Sequence, residues 1–349
     1  MRVLFCGLGS IGQRHLRNLR ALLGDRLEIH AYRVRRLRHK FSETLAIEPD
    51  ADVEKDYRIV VHSDLDQALS SRPDAVFVCN PTSLHIPIAL AAARRGSHLF
   101  IEKPLSDSMA GMDELSRLVK ANRLICYVGF NFRFHPGLIR MKELIDHRFF
   151  GNIVSVRAEV GEYMPGWHKY EYYRETYPAR KELGGGAVLT QIHEIDLIYW
   201  FFGLPRSVCC RGGKLSDLEI DVEDTATSLM WYEGPHGRFP IALHQDFLQR
   251  TPVRTFKIVG DAGSAEIDLI RNVLRSHSRR DIDPVEIQYS EFKRNDMFLD
   301  QARHVMACFA SKATPKVDLH AGIQSLRLAL ATKDALASGS EVDLKSGAS

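Results

Sequence analysis

The 349-residue chain is 45% hydrophobic, 26% charged and 9% aromatic, with a formal net charge of +3. That length suffices for about two domains of ordinary globular composition. A charge so near balance makes no global case for nucleic acid or an anionic membrane as a partner, and no apolar run approaches spanning length.

Met1 leads straight into an apolar strand pattern with no signal-peptide layout before it, which predicts a cytoplasmic protein. Cysteine usage points the same way. Cys6, Cys79 and Cys126 fall within or at the ends of apolar runs, where a thiol packs as a small hydrophobe. No CxxC and no Cys/His ligand spacing occurs, so neither a disulfide framework nor a metal site is expected.

Up to residue 128, strand-like runs at 2–6, 27–32, 58–61, 75–79, 98–101 and 124–128 alternate with helical patterns at 12–23, 65–70, 86–95 and 109–122. Such alternation predicts a parallel sheet covered by helices on both faces. The first turn reads Gly7-Leu8-Gly9-Ser10-Ile11-Gly12, a GxGxxG that closes a strand and opens a helix. In that context the glycines have a mechanism: Gly7 for a tight turn, Gly9 for close approach of a pyrophosphate, Gly12 for helix–sheet packing. Ser10 and Ile11 then open the helix whose N–H groups and dipole favour the phosphates.

NAD binders place an acid about twenty residues beyond the glycines, to accept from the ribose 2′-hydroxyl. Here Tyr32 stands there, followed by Arg33, Arg35 and Arg36. Guanidinium forks suit a 2′-phosphate, so NADP(H) is the expected cofactor, with NAD(H) as the alternative if these arginines are only a solvated basic face. A nucleic-acid patch is a weaker reading of one short basic run.

The next strand ends in Asn80-Pro81-Thr82-Ser83-Leu84-His85. Asn80 and Pro81 mark a loop at the carboxyl edge of the sheet, and His85 either caps the following helix or faces the cofactor. The strand at 98–101 runs into Glu102-Lys103-Pro104. Pro104 has no N–H to give and keeps Lys103 out of helical geometry, so the lysine stands at a strand's carboxyl end, where open α/β sheets bind ligands. The last strand of the set leads into Gly129-Phe130-Asn131-Phe132-Arg133-Phe134-His135-Pro136, whose Asn131 and Arg133 are suited to a polar ligand.

GLGSIG, NPTSLH, Gly96 with His98 before EKP, and GFNFRFHP follow in an order and spacing that resemble the Gfo/Idh/MocA oxidoreductases, and the resemblance continues over nearly the whole chain. It implies a Rossmann domain at 1–128. It further implies a substrate-binding and oligomerisation α/β domain at 129–349, built on a large, mostly antiparallel open sheet. Its chemistry would be NAD(P)-dependent oxidation or reduction of a sugar, polyol or nucleotide-sugar by a homodimer or homotetramer. Beyond residue 151 the pattern itself changes to strands at 152–160, 207–212, 226–232, 239–245, 254–259 and 265–269, without intervening helices. This too reads as antiparallel. Helical patterns return at 296–310 and 320–338.

The stretch 162–181 is dense in aromatic and charged residues, among them Tyr163, Trp167 and His168. It reads equally as a substrate cover or as a packing loop. Gly184-Gly185-Gly186 then enters a helix carrying Thr190, His193 and Asp196, the last two sharing one face. The resemblance places His193 in the active site, assisting Lys103 as proton donor and acceptor, with Glu102 and Lys103 also touching cofactor. Many members carry an aspartate three or four residues before this histidine; Leu189 and Thr190 stand there instead, which puts a three-member relay in doubt. A non-catalytic NADP-binding sensor is the competing class, and reduction of an imine, enone or dihydrodiol is a third.

Overall fold

The computed structural model describes residues 1–34, 38–43, 46–167 and 170–344. The chain divides into two compact units, Met1–Asn131 with Arg294–Ile323, and Phe132–Lys293 with Gln324–Ser349.

In the first unit, β1 (Arg2–Cys6) leads to α1 (Ser10–Leu23), β2 (Glu28–Tyr32), a hairpin of β3 (His39–Phe41) and β4 (Ile47–Asp52), and the one-turn α2 (Val53–Asp56). Then come β5 (Val60–His62), α3 (Leu65–Ser70), β6 (Ala75–Val78), α4 (His85–Arg94), β7 (His98–Ile101), α5 (Met112–Ala121) and β8 (Cys126–Val128). The sheet order is β5-β2-β1-β6-β7-β8, every pairing parallel. Counted along this sheet the order is 3-2-1-4-5-6, so the direction of winding reverses between β1 and β6. Helices cover both faces, so β1 and β6 have no solvent side, and Val3, Leu4, Phe5, Val76 and Phe77 are buried.

The second unit opens with α6 (Pro136–Asp146), which the sequence reading missed. Its N-cap is His135, whose ring accepts from Gly137 N–H, and Pro136 sits where a helix tolerates proline. After β9 (Ile153–Gly161), the short α7 (Ala187–Thr190) and α8 (His193–Phe202) come β10 (Ser207–Gly213), β11 (Thr225–Gly234), β12 (Gly237–Asp246), β13 (Val253–Gly260), β14 (Gly263–Asp268), β15 (Val273–Ser278) and β16 (Val285–Gln288). The helix α9 (Arg294–Phe309) returns to the first unit, α10 (Leu319–Ser338) begins in the first unit and ends in the second, and the short β17 (Val342–Asp343) follows it. The nine-stranded order is β16-β15-β14-β13-β9-β12-β11-β10-β17, antiparallel except for β9 with β12. Along β11 burial alternates residue by residue, with Met230 and Tyr232 buried and Leu229 and Trp231 exposed. One face of the sheet therefore packs on α8, where Phe201 meets Phe256 edge-on at 5.2 Å.

Among the described residues no helix is long and apolar enough to cross a membrane, and no group of three His, Cys, Asp or Glu is arranged to hold a metal ion. The six cysteines are free, and burial pushes the Cys6, Cys79 and Cys126 thiols up from their ordinary range.

Burial also lowers the pKa of His62, His85, His98, His135, His236 and His304. Each takes up a proton less readily folded than unfolded, so at acid pH the unfolded chain binds more protons and stability falls as pH drops below the unfolded value of about 6.5. Thermal unfolding midpoints should therefore decline between about pH 7.5 and pH 5.5. A midpoint flat across that window would contradict this.

Candidate functional site

The glycine turn lies at the reversal point of the parallel sheet. Gly7 has φ +98°, and a Cβ there would stand 2.7 Å from the backbone of Cys79 and Asn80. A Cβ on Gly12 would fall 2.3 Å from the Gly7 carbonyl oxygen, so both positions are sterically closed to any other residue. Gly9 is the opposite case: it is the N-cap of α1, with nothing within 4 Å of where a Cβ would be. Gly9 brings no side chain to cap the helix, so the first-turn N–H groups around Ser10 and Ile11 and the positive end of the dipole suit an anion. Across the turn, the Asn80 side-chain oxygen is buried with no partner among the described residues. An open cradle at Gly9 and an orphaned polar atom at Asn80 fit a dinucleotide lying over this edge.

Two histidines tie the neighbouring turns together. The His15 ring donates Nε2–H to Glu102 Oε1 at 2.6 Å, and both residues are buried. The other carboxylate oxygen accepts the Lys103 backbone N–H at 3.0 Å. His85, 1% exposed, presents Nδ1 to the Pro104 carbonyl at 2.9 Å and Nε2 to the Asn80 carbonyl at 2.8 Å. Burial holds its pKa down, and a neutral ring has only one N–H to give; protonation would satisfy both carbonyls at once. His85, expected to cap the helix or face the cofactor, thus bridges the turns after β6 and β7 from its place at the start of α4. His15 was not singled out from sequence. The available signal was its position three residues beyond Gly12, on the helix face that meets the sheet.

At the end of β2, Arg33 is buried and its Nη1 donates to Glu54 Oε1 at 2.7 Å. Burial lowers its pKa and the Glu54 carboxylate opposes that. Arg35 and Arg36, expected beside it, lie outside the described residues, as does His168.

The second unit gathers the other residues singled out from sequence. His193 opens α8, and its ring stacks on Phe132 with centroids 4.5 Å apart. Arg254 lies over the same phenyl ring at 4.7 Å and forks to Glu194 through Nε at 2.8 Å and Nη2 at 3.3 Å. Arg133 and Asp196, expected to meet substrate, engage each other through contacts of 2.7 and 3.0 Å, and Asp196 also accepts from Ser325 Oγ. Both partners are buried. The pair fixes α8 to the segment that carries Arg133; Asn131, in the first unit, is 3% exposed. Thr190 is buried at the end of α7. Trp167 packs edge-on against Phe247 at 5.3 Å beside Met164, Ala179 and Leu218, and its indole N–H is buried with no partner among the described residues. Arg250 covers the Tyr163 ring at 4.1 Å.

If the Arg133–Asp196 pair is structural, Arg133→Met leaves a buried carboxylate uncompensated and costs about 3–5 kcal/mol. Chemical denaturation should read that loss directly. An unchanged midpoint with only weakened substrate binding would assign Arg133 to the ligand instead.

The sequence profile described as "Oxidoreductase family, NAD-binding Rossmann fold" matches residues 1–130, and that of the "GFO/IDH/MocA C-terminal domain" matches residues 138–266. Similar curated proteins include myo-inositol 2-dehydrogenase of Thermotoga maritima, 24% identical over 99% of both chains. Another is scyllo-inositol 2-dehydrogenase (NAD(+)) of Bacillus subtilis, 25% identical over 99% of this chain and 96% of that one. Among solved structures, the WlbA dehydrogenase of Bordetella pertussis in complex with NADH and UDP-GlcNAcA superposes with a TM-score of 0.78. It is 22% identical, over 99% of this chain and 98% of that one, and shares the fold.

Proposed function

Because the chain belongs to the Gfo/Idh/MocA oxidoreductases, we propose that it transfers a hydride between a nicotinamide cofactor and a carbinol or keto carbon of a sugar, polyol or nucleotide-sugar. The observation that carries this reading is the turn Glu102-Lys103-Pro104 at the end of β7, whose carboxylate is held by His15 and whose proline carbonyl is held by His85. A lysine at a strand's carboxyl end, with the residues on both sides anchored, is a positioned proton carrier. The relatives named for inositol oxidation, and the WlbA complex with UDP-GlcNAcA, support a polyhydroxylated substrate.

The nicotinamide would give or take the hydride, held by Gly7, Gly9, Ser10, Ile11 and Gly12 at its pyrophosphate and by Asn80 and Pro81 further along the sheet edge, while His85 and Glu102 hold the turns around it. When a carbinol is oxidised, its hydroxyl proton must leave; Lys103 takes it at Nζ and returns it in the reverse direction. His193 assists as a hydrogen-bonding partner of that hydroxyl, its ring plane set by Phe132. Asn131, Thr190, Tyr163 and the Trp167 N–H bind the remaining hydroxyls. Arg133 and Asp196 act by holding α8 in place. NADP(H) is the preferred cofactor and NAD(H) is accepted, on the strength of Arg33 where an acid would serve NAD. The protein works as a homodimer or homotetramer through the outer face of the nine-stranded sheet, a reading supported by exposed Leu229 and Trp231.

A panel of polyols, free sugars and nucleotide-sugars, offered with NADP or NAD to the wild type and to Lys103→Met, tests the assignment. Reduced-nicotinamide absorbance should rise with the wild type alone, while the variant keeps its cofactor affinity within about twofold. Wild-type turnover by Lys103→Met would remove Lys103 from the mechanism. Tight cofactor binding with silence across the panel in both directions would favour a sensor.

A further inference from the structure

The acid that the sequence lacks at the end of β2 is supplied from another element. Asp52 caps α2 by accepting from the N–H groups of Glu54 and Lys55, which fixes this single helical turn after β4. Glu54 then projects its carboxylate onto Arg33, with Oε1 2.7 Å from Nη1, and its other oxygen lies 3.8 Å from Arg38 Nε. Arg33 and Glu54 are both largely withdrawn from solvent, with side chains 5% and 16% exposed, whereas Arg38 is 63% exposed. Arg33 is therefore fixed and half neutralised; it is not a free fork.

The segment that carries Glu54 is itself anchored to the glycine turn. The Gln13 side chain donates to the carbonyls of Leu8 and His39 and accepts from Phe41 N–H, so one glutamine on α1 holds both the phosphate loop and β3. The hairpin, α2 and the end of β2 thus form one block around the place where a dinucleotide's adenosine ribose meets a Rossmann sheet.

We propose that Glu54 determines cofactor choice: its carboxylate accepts from a ribose 2′-hydroxyl and opposes a 2′-phosphate, while the arginine it holds favours the phosphate. This rests on the oxidoreductase reading above and sharpens its cofactor assignment. The pair is a balance of one fixed cation against one fixed anion, so the chain takes both cofactors with a modest preference. A carboxylate beside a dianionic phosphate is a like-charge contact, and neutralising it relieves the phosphate while leaving the hydroxyl a weaker, uncharged acceptor.

Dissociation constants for NADPH and NADH, measured by fluorescence titration on the full chain, test this without any turnover. Glu54→Gln should tighten NADPH by about tenfold and weaken NADH by several-fold, moving the ratio in one direction. Arg33→Met should move the ratio the opposite way. A purely structural ion pair would weaken both cofactors in parallel in each variant, and a ratio unmoved within about twofold overturns the assignment. If the wild type bound neither cofactor, the oxidoreductase reading itself would fail, an outcome distinct from failure of the Glu54 assignment.

Discussion

A carboxylate withdrawn from water at the edge of a sheet must find a charged or hydrogen-bonding partner, because leaving it bare costs several kcal/mol. Glu102 meets that demand with His15 and with the backbone N–H of Lys103. The pairing is available only because α1 lies close against the sheet, and α1 lies close because Gly12 has no side chain to strike the Gly7 carbonyl. His15 also packs edge-on against Phe100 of β7 at 4.7 Å, which holds its ring over the strand that ends in Glu102. The glycine turn and the lysine turn are thus parts of one construction. Its purpose in physical terms is to fix a lysine whose neighbours on both sides cannot move independently.

In the second unit, fixed charges are spent in pairs around one helix. Arg133 with Asp196 and Arg254 with Glu194 tie α8 to the turn before α6 and to β13. Burial raises the Glu194 pKa, and Arg254 counters it. Such pairs contribute little net stability compared with apolar packing, and breaking one is expensive. Their effect is geometric: they set the orientation of the helix whose first residue is His193.

Much of this was legible in the sequence, and the misses have physical reasons. The strands β1 and β7 and the helix α3 fall where periodicity and turn residues place them, because each is a short run bounded by strong punctuation. The hairpin at β3 and β4 was not read, since His39–Phe41 and Ile47–Asp52 carry charges and a proline in place of an alternating apolar face. Likewise β15 and β16 are partly solvent-facing and polar. At the site, residue types told which chemistry was available but not which groups would consume one another. Arg133 and Asp196 are read one at a time from the sequence, and only the fold shows that they are hydrogen-bonded to each other. The same holds for Arg33, whose partner Glu54 lies far along the chain on an element too short to announce itself.

Hydride transfer to or from a sugar carbon is read most directly by isotope transfer. Reduced cofactor carrying deuterium at its hydride-donating carbon would be incubated with the protein and keto forms of the sugars, and the products examined by mass spectrometry. One deuterium should appear on the new carbinol carbon of one substrate class, and only when the protein is present. Cofactor that stays fully labelled across the panel, on a protein that binds it tightly, would rule out hydride transfer to these sugars.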